Sequence, residues 1–477
     1  VFLVLYRFLR RPRNLPPGPT GWPILGYLPQ LAMARDDPHV LFSSLAERYG
    51  NVISVNLAGT IVVVLHGHDT IKAAFNQHQL AARPTFYVSE KLRPGVGIIA
   101  SSGDIWTEMR RFSLTVLRGF GVGKRSFEEN IVTEVEILIE EWKKHEGAPF
   151  DPKHLISSAV SNVICSVVFG KRFQYTDGML QSLLKYSGDI LDQVGAGGAI
   201  EFSSFLARLT FLPGIKRYID TARRFNSQID LMIRLHDRDY DAENLRDLID
   251  AFLKQNEELE KLGDESEIFN GNNLHKMVAD LFLAGSETTT TTLRWSILHM
   301  MAYPEVQTRV QKELDDVTRR NRFPRMSDKP DLPYTEAVIY EIQRISTIVP
   351  LGVPHSSAES TTLLGYNIPK GAIVLSNLWH NHFDPSVWEN PRRFRPERFL
   401  NKDGKLISRE ELTPFGIGRR ICLGEHLAKM ELFIFFTFLL HQFTFKNPKD
   451  APPISLDGVN GGTWAPREFE ACAIPRV

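Results

Sequence analysis

The sequence predicts a mainly α-helical protein with small β-sheets. From Ser101 to about residue 345 the apolar residues follow a mostly helical pattern. Short β-branched runs lie on both sides of this stretch, at about 50–70 and 355–380. No Gly/Ser-rich or Pro-rich linker interrupts the middle of the 477 residues, so we expect residues 23–477 to form one large domain.

The first residues resemble the end of a membrane anchor. The apolar run Val1–Leu5 is far shorter than the about 20 residues that span a bilayer. The basic residues behind it are typical of a cytoplasmic stop, so we interpret 1–14 as the remnant of an N-terminal anchor with its basic stop. A frayed basic terminus is the alternative. Residues 15–22 contain Leu15-Pro16-Pro17-Gly18-Pro19, which predicts a stiff hinge because proline fixes φ.

The next elements follow from periodicity and turn residues. Val40–Tyr49 has the pattern of an amphipathic helix closed by Gly50. Residues 51–56 and 60–65 are β-branched runs around Ala58-Gly59, which predicts a hairpin, and a further helix is expected from Asp69. Past the helical stretch, strands are expected at 361–364, 365–368 and 372–376.

Composition narrows the class of function. Lys+Arg and Asp+Glu balance at 56 each, and no basic block is present, so a nucleic-acid partner has no support. Three cysteines in so long a chain argue against a disulfide framework and suit a reducing compartment.

One predicted helix breaks the usual rules of helix design. Its apolar face is formed by Leu274, Met277, Val278, Leu281 and Phe282. Gly285 then costs about 1 kcal/mol relative to alanine, and the threonine run 288–292 adds roughly 2–3 kcal/mol. We expect a local opening of the i→i−4 ladder, where the hydroxyl of Thr288 can bond a carbonyl or a bound oxygen molecule. Threonines that simply pack in a buried helix are the alternative.

A glycine-rich loop presents one thiol before an apolar helix, in the stretch Phe415-Gly416-Ile417-Gly418-Arg419-Arg420-Ile421-Cys422-Leu423-Gly424. Gly418 and Gly424 lack a Cβ, so the backbone can turn sharply and approach a flat ligand. Arg420, backbone N–H groups and a helix N-terminus near Cys422 are expected to favour the thiolate. Cys165 and Cys472 are interpreted as small buried apolar residues.

This loop is similar to the haem-ligand loop of the cytochrome P-450 superfamily at each defining position: Phe415, Gly418, Arg420, Cys422 and Gly424. The resemblance extends along nearly the whole chain. It implies the cytochrome P-450 fold, a triangular prism-like helical body with haem b between the long central helix and the helix after the cysteine loop. It further implies that Cys422 is the fifth ligand of the iron and that its electron donation favours O–O cleavage.

Glu287 and Thr288 match the acid–alcohol pair of that family. The resemblance implies that Thr288 steadies bound dioxygen while Glu287, through water, relays protons. A haem-thiolate monooxygenase is therefore expected. The rivals are a peroxide isomerase or lyase of the same fold, which generally lacks such a pair, and a non-catalytic haem-binding sensor. A helical cysteine hydrolase has no supporting histidine pattern.

The haem cradle is expected around Trp106 and Arg110, which stand at i and i+4 and share a helix face. The resemblance adds Arg83, His355 and Arg420 as propionate partners, beside Phe415 and Gly424 of the loop. It also implies a buried triad of Glu341, Arg344 and Arg398 that serves the fold and haem incorporation.

The substrate is expected to contact mostly apolar residues and thus to be lipophilic. The set is Phe282, Ala284, Gly285, Thr288, Val349, Leu351 and Val353, with Val96, Ile98, Ile99 and the turn Gly461-Gly462-Thr463 added by the resemblance. The closest similarity is to microsomal members that hydroxylate vitamin D or long-chain fatty acids. Gly461–Trp464 depart from the usual aliphatic pattern of that turn, so a steroid, a vitamin D-like sterol, a fatty acid and a xenobiotic all remain open.

Electrons are expected from outside, because no Gly-x-Gly-x-x-Gly fingerprint follows a strand. The resemblance implies an NADPH-dependent flavoprotein reductase, with cytochrome b5 as a second partner, at the endoplasmic reticulum membrane with the catalytic domain facing the cytoplasm. The expected docking surface contains Arg111, Arg118, Lys124, Arg125, Arg419 and Lys429.

Overall fold

A computed structural model describes residues 14–33, 37–93, 95–197, 208, 210–263 and 267–476. Apart from Asn14, the predicted anchor remnant therefore lies outside the described residues, and so does the side chain of Arg125. Within the described ranges, no helix combines the length and the apolarity needed to cross a membrane.

Helices dominate the described part of the chain, which confirms the predicted fold class. They are α1 (Leu28–Met33), α2 (Pro38–Tyr49), α3 (His68–Phe75), α4 (Tyr87–Leu92), α5 (Gly103–Gly119), α6 (Arg125–Lys143), α7 (Lys153–Val168), α8 (Gly178–Gly197), α9 (Pro213–Arg238), α10 (Leu248–Lys261), α11 (Gly271–Ala302), α12 (Pro304–Thr318), α13 (Pro333–Ser346), α14 (Leu378–Phe383) and α15 (Glu425–Gln442). Short 3₁₀ turns lie at His78–Leu80, Met326–Asp331, Pro396–Phe399 and Gly418–Arg420.

The strands are short and form small sheets. They are β1 (Val52–Leu57), β2 (Thr60–Leu65), β3 (Pro149–Phe150), β4 (His355–Ser356), β5 (Thr361–Leu363), β6 (Tyr366–Ile368), β7 (Ile373–Ser376), β8 (Phe443–Lys446), β9 (Gly458–Asn460), β10 (Trp464–Pro466) and β11 (Ala471–Pro475). The main sheet has the order β1-β2-β7-β4, with β2 and β7 parallel and its other pairs antiparallel. The two predicted strand-rich segments thus both contribute strands to this sheet, while β5 and β6 pair with each other in a separate two-stranded sheet.

The predicted hairpin is confirmed, with Val52 opposite Leu65 and Leu57 opposite Thr60. The proline-rich segment before it is fixed to the sheet. Ser54 donates to two carbonyls of that segment, from its N–H to Pro17 at 2.8 Å and from its hydroxyl to Pro16 at 2.7 Å. The predicted hinge is therefore held along β1 by hydrogen bonds at its start.

Two long helices run through the core. The side chain of Asn270 caps the N-terminus of α11 by accepting from the N–H groups of Asn272 and Asn273, as is typical of an N-cap asparagine. Helix α15 is apolar nearly all round and almost wholly buried after its first turn, as expected for a helix enclosed by others. Both contribute to one large apolar cluster that also includes α6, α7 and α13. The threonine run of α11 and the loop before α15, the two candidate parts of the active site, are therefore attached to helices of the buried core.

Candidate active site

The cysteine loop is pressed against the end of α3. Gly418 has φ +80°, and a Cβ on it would lie 2.4 Å from the carbonyl oxygen of Phe75, so only glycine fits this approach. Gly424 has an ordinary φ of −88°, and a Cβ there would lie 4.0 Å from Cys422 Sγ. The predicted sharp turn is therefore present at Gly418 and absent at Gly424.

Cys422 is both accessible and enclosed by protein. Its side chain is accessible to solvent, yet burial by the surrounding protein raises the pKa of the thiol. The N–H of Gly424 and the charge of Arg110 act in the opposite direction. The protein alone therefore does not favour the thiolate. Helix α15 begins at Glu425, near Cys422 as predicted, yet the pKa of the thiol is still raised.

The guanidinium of Arg420 is directed away from the sulfur, contrary to expectation. It donates from Nε to Ala81 O at 2.7 Å and from Nη2 to Ser101 O at 2.5 Å, and it lies 4.0 Å from the ring centroid of Trp106. Arg110 takes the place near the sulfur that we had expected for Arg420, and its Nη2 donates to Ile421 O at 2.8 Å.

Arg83 and His355 complete this group on the sheet side. Arg83 donates from Nη1 to the carbonyls of Val353 and Pro354, at 2.8 and 2.7 Å. His355 donates from Nδ1 to Leu80 O at 2.7 Å and stacks on Phe75 at 3.7 Å between ring centroids. Burial and the charge of Arg83 lower the pKa of His355 to about 3, so its imidazole is neutral at physiological pH.

The three guanidiniums have no acidic partner among the residues that the structure describes. Burial lowers the pKa of Arg83 to about 10, and burial together with the charges of Arg83 and Arg110 lowers that of Arg420 to about 9. Burial also lowers the pKa of Arg110. Three clustered, partly buried cations without a carboxylate need an anionic partner. A flat group with two carboxylates, held above an accessible thiol, satisfies that need, and haem is such a group.

The acid and the alcohol of the candidate pair lie on different faces of α11. The hydroxyl of Thr288 donates to Ala284 O at 2.8 Å, and Ala284 is exposed. Glu287 Oε1 accepts from the Thr291 hydroxyl at 3.2 Å, and burial raises the pKa of Glu287. The helix is continuous from Gly271 to Ala302, so the expected opening of the ladder is wrong: the hydroxyl bonds the carbonyl without a break.

Several expected substrate contacts have other roles. Phe282 is fully buried and packs near Phe169 and Phe225, at 6.5 and 6.3 Å between ring centroids. A Cβ on Gly285 would lie 3.0 Å from Ile164, so Gly285 permits the close approach of α11 and α7. These two residues face the helical core because the neighbouring helices occupy that side of α11.

The remaining expected contacts divide into three groups. Val353 is 44% exposed, and Val349 and Ile99 are partly buried, so these three remain available to a ligand. Ile98 is buried in the helical core, and Leu351 packs against the cluster of Tyr27 and Phe42 under the sheet. The hydroxyl of Thr463 lies 3.3 Å from that of Thr291, on the same side of α11 as Glu287.

Phe415 of the predicted haem cradle is partly buried, and Lys429 Nζ lies 5.5 Å from its ring centroid.

Two carboxylates near the site were missed by sequence reasoning. Asp280 Oδ2 accepts from the N–H groups of Ile98 and Ile99, at 2.8 and 2.9 Å, and so fixes the loop before α5 to α11. Glu431 Oε2 accepts from the Thr289 hydroxyl. The partners of Asp280 are distant backbone groups that leave no mark on the sequence. Glu431, a lone carboxylate in the apolar run of α15, was a signal that could have been used.

The predicted triad is brought together in the interior. Arg344 donates to both oxygens of Glu341, at 2.7 and 2.9 Å, and Arg398 Nε lies 3.0 Å from the same carboxylate. Glu341 and Arg344 are fully buried. Arg344 Nη1 also donates to His382 O at 2.7 Å, which ties α13 to α14. The triad therefore joins α13 to the segment that leads to the cysteine loop.

Known proteins match this chain over nearly its full length. The family model described as Cytochrome P450 matches residues 16–473. Cytochrome P450 2J3 of Rattus norvegicus is 42% identical over 482 residues, covering 100% of this chain and 95% of that protein. Cytochrome P450 2J2 of Homo sapiens is 40% identical over 481 residues, covering 100% and 95%. Cytochrome P450 2U1 of Bos taurus is 38% identical over 483 residues, covering 96% and 88%.

The matches and the geometry agree on the cofactor. An accessible cysteine on a glycine-shaped loop faces a group of arginines that lack an anion. The family supplies the missing group, since its members carry haem. This chain belongs to the cytochrome P450 family and is a haem-thiolate monooxygenase that acts on a lipophilic small molecule with electrons from a redox partner.

Proposed function

We propose that Cys422 ligates the haem iron and that Arg83, Trp106, Arg110, His355 and Arg420 hold the propionates. The observation that carries this assignment is the convergence of three guanidiniums without a carboxylate beside an accessible thiol. Iron would bind the thiolate and release its proton, which offsets the raised pKa of the free thiol. The propionates would accept charge-assisted hydrogen bonds from arginines that now donate to carbonyls.

Haem held by a thiolate supplies the electron density that favours O–O cleavage. The protein's own task is then to deliver protons and to position the substrate. Thr288 would present its hydroxyl to the haem pocket, held by its bond to Ala284 O. Glu287 is its neighbour in the sequence and has a raised pKa, so it holds its proton more firmly than an exposed glutamate, as a general acid must.

The proposed substrate is a steroid, a vitamin D-like sterol, a fatty acid or a xenobiotic. The accessible walls at Ala284, Val349 and Val353 offer methyl and methylene groups, which favours a lipophilic ligand whose orientation is set by shape. The loop of Ile98 and Ile99 is fixed from its backbone by Asp280, so this side of the site has a defined shape before substrate binds.

The proposed electron donor is an NADPH-dependent flavoprotein reductase, with cytochrome b5 as a second partner. Arg118, Lys124 and Arg419 are exposed, and no carboxylate pairs with them in the described ranges. Gly123 lies against His426 at the start of α15, so Lys124 is near the cysteine side. Arg111 and Lys429 of the predicted surface are held by Glu108 and Glu425, so they contribute less net charge.

The proposed location is the endoplasmic reticulum membrane, with the catalytic domain facing the cytoplasm. Trp22, Ile24, Leu25 and Met33 follow the proline segment and are 59%, 58%, 48% and 68% exposed. Exposed apolar residues grouped along so short a stretch favour contact with a lipid surface.

Reconstitution tests this proposal. The purified haem protein is combined with an NADPH–cytochrome reductase in phospholipid vesicles and given lauric acid, progesterone and 7-ethoxycoumarin as probes. NADPH- and dioxygen-dependent hydroxylation or dealkylation supports it. Isomerisation of a fatty-acid hydroperoxide with no NADPH-dependent oxygenation of any probe would instead indicate an isomerase, and ligand binding without oxygen consumption would indicate a sensor.

The docking surface has a separate test. Arg118→Glu with Lys124→Glu is expected to raise the KM for reductase, because an acidic partner is repelled. Turnover supported by cumene hydroperoxide needs no reductase and serves as the internal control. An unchanged KM for the double variant would place the reductase elsewhere.

A further inference from the structure

We infer that one face of α11 carries a path by which solvent protons reach the active site from a surface cleft. The path begins at the cleft beside Leu298, passes Arg294 and Thr291, and ends at Glu287. This inference rests on the proposed function, because it assigns the route by which Glu287 is resupplied. Arg294 is its central positioning residue and does not touch the substrate or the cofactor.

The four residues share one face of the helix. They are spaced i, i+4, i+7 and i+11, which places them in a line about 16 Å long. The far end reaches solvent: Leu298 lines a cleft of about 540 Å³ together with Asp151, Arg467, Glu468 and Phe469. The near end is Glu287, next to Thr288 in the sequence. The line therefore joins the outside of the protein to the candidate acid.

The near end is a connected set of hydroxyl and carboxyl groups. Thr291 Oγ1 donates to Glu287 Oε1 at 3.2 Å and lies 3.3 Å from Thr463 Oγ1. Thr291 is fully buried, and Thr463 is 6% exposed. Hydroxyl groups both donate and accept, so they can pass a proton along a chain that includes water.

The middle of the line is a buried guanidinium with an unused donor. Arg294 is 3% exposed, and its Nε has no hydrogen-bond partner in the described part of the chain. Its Nη2 makes one long bond, of 3.4 Å, to Pro466 O, and its guanidinium carbon lies 5.9 Å from the ring centroid of Phe469. Leaving a donor of a buried cation unpaired is costly, and a water molecule is the usual remedy. Arg294 thus marks a point for bound water between the cleft and Glu287.

The charges around the line come from several elements. Asp151 precedes α7 and Glu468 precedes β11, and both carboxylates act on Arg294 from the cleft. Asp192 of α8 acts on both Arg294 and Glu287, and Lys153 of α7 acts on Glu287. Burial raises the pKa of Glu287, while Lys153, the Thr291 hydroxyl and Arg294 oppose that rise. These opposed influences suit a carboxyl that must both hold and release a proton.

The chemistry requires such a supply. Monooxygenation follows RH + O₂ + 2 e⁻ + 2 H⁺ → ROH + H₂O, so each turnover takes two protons from solvent. Oxidation with cumene hydroperoxide follows RH + R′OOH → ROH + R′OH and takes none. A residue of the proton route therefore affects the first reaction and leaves the second nearly unchanged, whereas a residue needed only for the fold affects both.

The test uses the full haem protein with reductase and the probe that is turned over among lauric acid, progesterone and 7-ethoxycoumarin. For Arg294→Met we expect product per NADPH to fall about ten-fold, with more peroxide and a larger solvent isotope effect, while cumene hydroperoxide turnover stays within about two-fold. Arg294→Lys is expected to recover part of the coupling. Thr291→Val breaks the hydroxyl chain without removing a charge and covers the case in which Arg294→Met does not fold.

Thr290→Val is the matched control, because the Thr290 hydroxyl is buried and donates only to Ser286 O, at 2.7 Å. A crystal structure of the haem protein gives a readout apart from activity, with a water expected on Arg294 Nε and further waters toward Glu287 and the cleft. Unchanged coupling in both Arg294→Met and Thr291→Val, or a dry, filled space around Arg294 Nε, overturns the inference. Failure of the wild-type protein to oxygenate any probe would instead count against the proposed function.

Discussion

The hydroxyl of Thr289 lies 3.1 Å from Glu431 Oε2, a hydrogen bond that joins the threonine run of α11 to the helix after the cysteine loop. Both side chains are buried, at 3% and 2% exposure. The helix that presents Thr288 and the helix that follows Cys422 are thereby held together by a polar contact in an apolar core. Such a contact fixes one relative position of two helices more strictly than apolar packing does.

Glu431→Gln should remove a pH dependence of stability. Burial raises the pKa of Glu431 to about 8, so between its unfolded value and pH 8 the folded state holds a proton that the unfolded state has lost. Stability therefore falls as pH rises through this window, by on the order of 5 kcal/mol. Glutamine mimics the neutral acid and can still accept from Thr289. Thermal unfolding from pH 5 to 8.5 should show wild type and variant equal at pH 5 and the variant more stable at pH 8.5; parallel curves would refute the assignment.

Glu341→Gln should destabilise the fold strongly. It leaves Arg344 and Arg398 as buried cations without a counter-charge, at a cost of about 3–5 kcal/mol. Chemical unfolding and the haem-to-protein ratio measure the effect, and both should fall. The control is Glu129→Gln, which breaks an exposed pair with Arg325 of 2.9 Å and should change stability by less than about 1 kcal/mol. Equal effects of the two substitutions would mean that the triad is not a structural lock.

Arg110→Leu should weaken haem retention, because it removes one of three cations assigned to the propionates. A charge-assisted hydrogen bond contributes about 1.5–3 kcal/mol, which corresponds to a roughly 10–100-fold faster transfer of haem to an apoglobin acceptor. The neighbouring Arg111→Leu is the control, since Arg111 is 73% exposed and pairs with Glu108. Transfer rates that do not separate the two variants would contradict the assigned cradle.

Thr288→Ala should uncouple electron use from product formation. The variant loses the hydroxyl that we assign to the haem pocket, so NADPH is still consumed while product falls and peroxide rises. Thr290→Ala removes a hydroxyl with the same i−4 bond in the same helix but turned into the core. Product, peroxide and NADPH are measured together in the reconstituted system. If Thr288→Ala and Thr290→Ala form the same amount of product per NADPH consumed, the assigned role of Thr288 is wrong.

Local patterns were sufficient for the secondary structure. The β-branched runs at 51–56 and 60–65 around Ala58-Gly59 predicted the hairpin, because β-branched residues favour strands and the two turn residues have positive φ. The apolar spacing from Leu274 to Phe282 predicted the helical state of α11 because that spacing is a property of one segment.

The direction of individual side chains could not be predicted in the same way. Gly285 resembled a space left for a ligand, yet Ile164 of α7 fills it, and the packing partner is far away in sequence. Arg420 was expected at the sulfur, but the carbonyls of Ala81 and Ser101 attract it because they lie where the chain folds back. An arginine two residues from the cysteine in sequence need not act on its thiol, whereas Arg110, which is distant in sequence, acts to lower the pKa of that thiol.

The reduced carbon monoxide spectrum of the purified protein tests the central claim most directly, because thiolate and histidine ligation place the Soret band at different wavelengths. We predict a thiolate-type band for the wild type and for Cys165→Ser, whose thiol is buried in the core, and its loss in folded Cys422→His. A histidine-type band in undamaged wild-type protein, or a thiolate-type band that survives Cys422→His, would contradict the assignment of Cys422 as the haem ligand.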